Sequence, residues 1–199
     1  KNNINIQFNA VYMFFKNEIA PIGEYVPEGF IQLRKNIPSS YRRGFEIDVD
    51  WHPVGVLHIV GSVAFLDSRI KKYQPEEDPN IYYNVQQALS PRINSFASLI
   101  YEVKPWLKFA FSGRYVSESY LEPTNNPLFT IPSFFVANLS STVMITKRLA
   151  LDVYFNNLLN ERYFTYGAPV DIDWDGTFDE SGYFIQPPRN VFSKLLLRF

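Results

Sequence analysis

The chain has 199 residues and a formal net charge of -1, which allows one ordinary domain and gives no electrostatic case for a nucleic-acid partner. It has no cysteine, which excludes a disulfide framework, thiol catalysis and cysteine metal sites, and suits a protein crossing an oxidising periplasm. Mean hydropathy is only -0.15, and no apolar run approaches the roughly 18 residues of a membrane helix, so a helical membrane protein is excluded.

Helical periodicity is nearly absent, while period-two alternation recurs along the chain. The first predicted strand, 4–16, sets Ile4, Ile6, Phe8, Ala10, Tyr12 and Phe14 on one face. The second, 41–51, is the clearest: Phe45, Ile47, Val49 and Trp51 share one face, and Glu46, Asp48 and Asp50 the other. The third, 55–68, presents Leu57, Ile59, Val63 and Phe65. A fourth, 93–103, precedes a fifth, 106–120, with Leu107, Phe109, Phe111 and Tyr115 aligned. The sixth is 133–146. The seventh, 148–157, aligns Leu149, Leu151, Val153 and Phe155, and the eighth is 190–199. Phe15, Phe96, Ile100, Met144 and Leu196 fall on the opposite face, a mixture that a lumen lined by protein and water tolerates.

The connections alternate between short and long. His52-Pro53-Val54, Lys104-Pro105 and Lys147 are short, whereas 17–40, 69–92, 121–132 and 158–189 are long. Short periplasmic turns opposite long outer loops are the pattern of an outer-membrane barrel. Aromatics make up 17% of the chain, and on the apolar face they sort into two belts. Phe14, Tyr41, Phe65, Tyr115, Phe135 and Phe155 lie toward the long loops; Trp51, Tyr101 and Phe199 lie toward the short turns. Trp106 misses by one position. A soluble all-β domain is the rival, but strands this long exceed the soluble mode of about 5–6 residues. The expected fold class is therefore all-β, a transmembrane antiparallel β-barrel.

The last segment carries a resemblance. The chain closes Val191-Phe192-Ser193-Lys194-Leu195-Leu196-Leu197-Arg198-Phe199, which resembles the terminal signal read by the barrel assembly machinery, with Ser193 as the departure. Asn157-Leu158-Leu159-Asn160-Glu161-Arg162-Tyr163, then Pro187-Pro188-Arg189 before the final strand, resembles the end of TonB-dependent outer-membrane receptors. Phe14 to Ile19 and Ser40 to Glu46 are similar to an earlier part of the same barrels. The resemblance implies a barrel of about 22 strands with a plug, importing a scarce large nutrient with energy from the inner membrane. On that reading residues 1–199 are about eight C-terminal strands. The remaining barrel, the plug, the TonB energy-coupling complex, the assembly machinery, and outer-membrane lipid and lipopolysaccharide are the implied partners. The cargo stays open among a siderophore, haem, cobalamin, another metal chelate, a peptide or a glycan.

Candidate sites are few. Asp171, Asp173, Asp175, Gly176, Thr177 and Asp179 fall on positions 1, 3, 5, 6, 7 and 9 of an oxygen-ligand calcium loop, and Ca2+ is the one cofactor the sequence suggests. Position 12 is Gly182 where a bidentate Glu is wanted; Glu180 is the substitute, and a solvated acidic loop is the plain alternative. Arg42, Glu46, Asp48, Asp50, Arg114, Glu118 and Asp152 are expected to line the lumen, paired with one another or with a plug. His52, in a turn, and His58, on the lumen face, have no partner at ligand spacing and read as lone structural histidines. No nucleophile-elbow motif, catalytic carboxylate pair or phosphate-cradling loop is present, so no enzyme is expected. Two other readings stand beside the importer: eight strands closing on themselves as an anchor or adhesin, and an outer-membrane hydrolase built around His58.

Overall fold

Alternating side chains and β-branched and aromatic residues favour extended chain, and the antiparallel ladder satisfies its backbone groups. The computed structural model describes residues 3–26, 31–75, 79–172 and 179–198, with backbone alone at 23–26 and 31–32. All of the regular structure in it is β. Eight strands form one antiparallel wall in the order β1 (Asn3–Val26), β2 (Ile31–Val54), β3 (Leu57–Tyr73), β5 (Ile93–Lys104), β6 (Leu107–Val116), β9 (Phe134–Met144), β10 (Leu149–Asn156) and β13 (Asn190–Leu197). They coincide with the eight segments read from the sequence. The other strands belong to the long connections: β4 (Tyr82–Gln86) pairs with β3, β7 (Ser119–Tyr120) with β8 (Thr130–Ile131), and β11 (Phe164–Val170) with β12 (Glu180–Ile185). The wall runs from β1 to β13, and no ladder joins those two edges among the described residues.

Register carries one face unbroken across the wall, because paired residues point the same way. Ile4 lies opposite Trp51, Trp51 opposite Ile59, Ile59 opposite Leu99, Leu99 opposite Phe111, Phe111 opposite Leu139, Leu139 opposite Phe155 and Phe155 opposite Val191. These are large apolar side chains, and most are exposed. The reverse face runs Asn5, Asp50, Val60, Ser98, Ser112, Asn138 in the same row. On the apolar side the row above Phe45 and Phe65 turns polar: Arg43 lies opposite Asp67, which also accepts a 2.7 Å hydrogen bond from Arg69 Nε.

Several boundaries differ from the sequence reading, and β3 runs on to Tyr73 through the start of the second predicted loop. The first long loop, 17–40, is mostly strand, since β1 and β2 pair out to Val26 and Ile31. Ala20, Ile22 and Ile37 there pack with Ile70, Tyr73 and Val85 in a small apolar core, which holds the extended hairpin over β4. The first short turn comes later than expected: β2 continues through Val54, leaving Gly55 and Val56 as the turn, with a register shift between Trp51 and Val54 around Pro53. Proline lacks the donor a ladder needs, so it sits at the irregularity. The last predicted short turn is wider, with β9 ending at Met144 and β10 starting at Leu149. Finally, β6 stops at Val116, so Glu118 lies in a connection and not in the wall.

The remaining long connections brace one another. Leu121, Phe129 and Ile131 are buried against Leu89, Phe164 and Tyr183. Tyr183 donates a 2.6 Å hydrogen bond to the Thr130 carbonyl, and Ser181 a 2.8 Å bond to that of Leu128. Both fasten the β11–β12 hairpin onto the β7–β8 connection.

Candidate functional site

All the charges expected in the lumen except Glu118 fall on the polar face of the wall, in two groups. Toward the long connections, Arg42 donates to Glu18 and, at 2.9 Å, to Gln87 Oε1; its guanidinium also lies 4.3 Å from the Phe15 ring centroid. Ser40 donates to the same Glu18 carboxylate, and Ser68 donates to Gln87 at 2.7 Å. Ser40 and Ser68 are almost fully buried, so this network is satisfied from within the chain. The left-handed φ of 55° at Asn17 turns Glu18 to this face. Asp152, also buried, accepts a 2.8 Å hydrogen bond from Thr142 Oγ1 and lies opposite Lys194 in register. Arg114 borders a groove of about 480 Å3 shared with Asn138, Asn156, Tyr163 and Gln186. Glu46 is exposed on β2, opposite Asn9 in register.

The second group lies at the short-turn end. Asp48 and Asp50 border a shallow groove of about 350 Å3 with Asn5, Gln7, Ser62 and Phe96. Asp50 Oδ1 lies 3.1 Å from His58 Nε2 and 3.3 Å from His52 Nδ1, and the two imidazoles stack at 3.9 Å with 12° between planes. The histidines are therefore not lone. The late turn explains it: His52 stays in β2, and carrying the Trp51–Ile59 register one residue further sets it beside His58 on β3, before the ladder shifts at Val54. The sequence offered a signal in the alternating Asp50-x-His52, lost by reading His52 as turn.

Of the residues expected in aromatic belts, Phe14 and Tyr41 are direct partners, as are Tyr115 and Phe135; Trp51 lies opposite Ile59, and Tyr101 opposite Phe109. Phe65 and Phe155 share that face, Phe65 stacked on Phe45 at 5.6 Å. Because β1 and β2 run on, Phe14 and Tyr41 lie within long strands and not at their ends. Phe199 lies outside the described residues, as do Asp173, Asp175, Gly176 and Thr177 of the candidate calcium loop; Asp171 and Asp179 flank that segment. Sequence reasoning missed Glu18, Gln87 and Arg69, which lie in segments read as loop, and the Arg43–Asp67 pair, which joins two predicted strands.

The profile of the family described as TonB dependent receptor-like, beta-barrel, matches residues 1–158. Among solved structures, the chain is similar to the siderophore receptor PiuA from Acinetobacter baumannii, at 19% identity with a TM-score of 0.73 over 97% of this chain and 26% of that one. It is also similar to the ferric yersiniabactin uptake receptor FyuA from Yersinia pestis, at 16% identity and TM-score 0.74 over 98% of this chain and 28% of that one. The ferripyoverdine receptor of the outer membrane of Pseudomonas aeruginosa matches at 16% identity and TM-score 0.63, over 97% and 25%. The chain thus spans about a quarter of the length of these receptors. No curated protein matches.

Proposed function

We infer the function from one premise: the chain belongs to the TonB-dependent receptor-like β-barrel family. Its role is to supply part of the wall of an outer-membrane, energy-coupled importer of a siderophore or another large metal chelate. The observation that carries this is the two-faced wall. Its apolar face is continuous in register over eight strands and suits lipid, while the reverse face is polar and suits a lumen holding a plug and a passing cargo.

Dimensions support the membrane reading. Ten residue steps separate Tyr41 from Trp51 on β2. That is about 33 Å along the strand and about 25 Å after a tilt of about 40°, the height of an outer-membrane apolar band. Phe14, Tyr41, Phe65, Tyr115, Phe135 and Phe155 then make the outer girdle, with Trp51 and Tyr101 in the inner one. Arg69, opposite Tyr41, and the Arg43–Asp67 pair one row below it lie in the outer girdle layer, where their charges satisfy one another. The free edges of β1 and β13 are the places where further wall strands pair.

Cargo choice rests on the neighbours: the solved structures this chain resembles include receptors whose names specify siderophores. The test is uptake of radiolabelled iron by cells producing the protein, offered as ferric catecholate, hydroxamate, phenolate and citrate complexes. Accumulation of one chelate that stops when a protonophore collapses the inner-membrane gradient supports the reading. Equal iron entry with and without the protein, for every chelate, overturns it.

A further inference from the structure

Both histidines of the chain meet at one point, beside one carboxylate, on the polar face of β2 and β3. One donor atom from each of Asp50, His52 and His58 lies within 4.8 Å of the other two. Around a tetrahedral zinc ion with bonds of about 2.0–2.1 Å, neighbouring donors are about 3.3 Å apart. Two of the three separations here already have that length, 3.1 Å from Asp50 Oδ1 to His58 Nε2 and 3.3 Å to His52 Nδ1. The third separation, between the two imidazole donors, is within 4.8 Å.

The backbone beneath these groups is held by ladders. Asp50 is paired with Asn5 on one side and Val60 on the other, His52 with Asn3, and His58 with Ile100. Three donors are thus fixed on a braced wall. Asp50 and His52 are about half exposed, which leaves an open side for water to complete the coordination. Two imidazoles and one carboxylate select against calcium and magnesium, which take oxygen ligands, and suit borderline first-row ions.

We propose that Asp50, His52 and His58 bind one divalent first-row transition-metal ion, of the zinc class, with the remaining positions held by water. The site is separate from the acidic loop around Asp171 and from the cargo reading above, and stands without either. The competing account is a plain hydrogen-bonded cluster, in which Asp50 accepts from both rings and no ion binds.

The test uses the membrane-inserted protein in detergent, stripped with chelator and titrated with Zn2+ by calorimetry, then with Cu2+ by electron paramagnetic resonance. The proposal expects one saturable Zn2+ equivalent that disappears in His52→Phe/His58→Phe, a variant that keeps two stacked rings. It expects Asp50→Asn to weaken binding at least about tenfold, since even loss of a group supporting a ligand costs about 10–100-fold. The Cu2+ spectrum should show coupling to two nitrogens, lost in the double variant. Folding of each variant is checked by heat-modifiable gel mobility. If a variant does not fold, the wild-type spectrum decides. No two-nitrogen coupling, or equal Zn2+ binding by wild type and the folded double variant, overturns the site.

Discussion

The Glu18 carboxylate accepts a hydrogen bond from Arg42, although the β1–β2 register sets Glu18 opposite Ile37. The φ of 55° at Asn17 is the cause: one left-handed residue turns the side chains that follow onto the other face without disturbing the pairing count. Arg42 is mostly covered, so removing its partner leaves a desolvated charge. Glu18→Ala should destabilise the barrel by about 1–3 kcal/mol, and Glu18→Gln, which keeps an acceptor, by less. The measurement is the temperature at which the folded gel band converts to the unfolded one. Equal conversion temperatures for wild type and both variants would remove the network from the stability account.

Leu99 and Ser98 are neighbours on β5 that point to opposite faces. If the apolar face meets lipid, Leu99→Arg near the middle of the band should cost about 2–4 kcal/mol and reduce the folded protein recovered from outer membranes. Ser98→Arg, facing the lumen, should leave recovery close to wild type. Similar losses from both would contradict the assignment of faces.

Gly44 on β2 packs tightly against the backbone of β3. A Cβ there would lie 2.1 Å from the backbone oxygen of Phe65, an atom that cannot swing away, whereas at Gly61 the nearest atom is the Phe96 oxygen at 3.5 Å. Gly44→Ala should lower stability by about 1–3 kcal/mol, with Gly61→Ala near neutral. Urea unfolding of the two variants in detergent separates them, and a Gly44→Ala midpoint equal to that of Gly61→Ala would refute the close approach.

What was legible in the sequence followed from parity, because a strand with one face in lipid must alternate. All eight wall strands were read on that basis, with the apolar set on the face that register later joins. Parity fails where one residue breaks the count. Asn17 swaps the faces of β1, so Ala20 and Ile22 no longer continue the series from Phe14, and a paired hairpin read as loop. Pro53 misled for a related reason. A proline after His52 looks like a turn, but here it occupies an irregularity inside the strand, and the turn falls at Gly55 and Val56. The Asp50–His52–His58 cluster was hidden by that displacement of three residues. Contacts such as Tyr183 with Thr130 join segments 53 residues apart and have no local signature at all.

Asn157 shows why the Asn-Leu-x-Asn motif is worth reading as geometry. Its backbone adopts a φ of 52°, and Asn160, three residues on, one of 54°. Asn157 Nδ2 donates to the carbonyls of Glu161 at 2.9 Å and Pro187 at 3.3 Å, while its Oδ1 accepts from the Glu161 N–H at 2.8 Å. Asn160 Oδ1 accepts from the Arg189 N–H at 3.0 Å. The two side chains thus clamp the base of the long connection, joining the end of β10 to the start of β13. Asn157→Ala loses the amide contacts and puts a less tolerant residue at a left-handed position, which together should cost about 2–4 kcal/mol. Asn157→Gly relieves the backbone but not the lost bonds, so it should fall between alanine and wild type. Limited proteolysis within 158–189 of the folded protein reads the effect directly. Cleavage should be fastest for alanine, intermediate for glycine and slowest for asparagine. If glycine proves as susceptible as alanine, the side-chain bonds alone hold the connection and the backbone conformation contributes nothing.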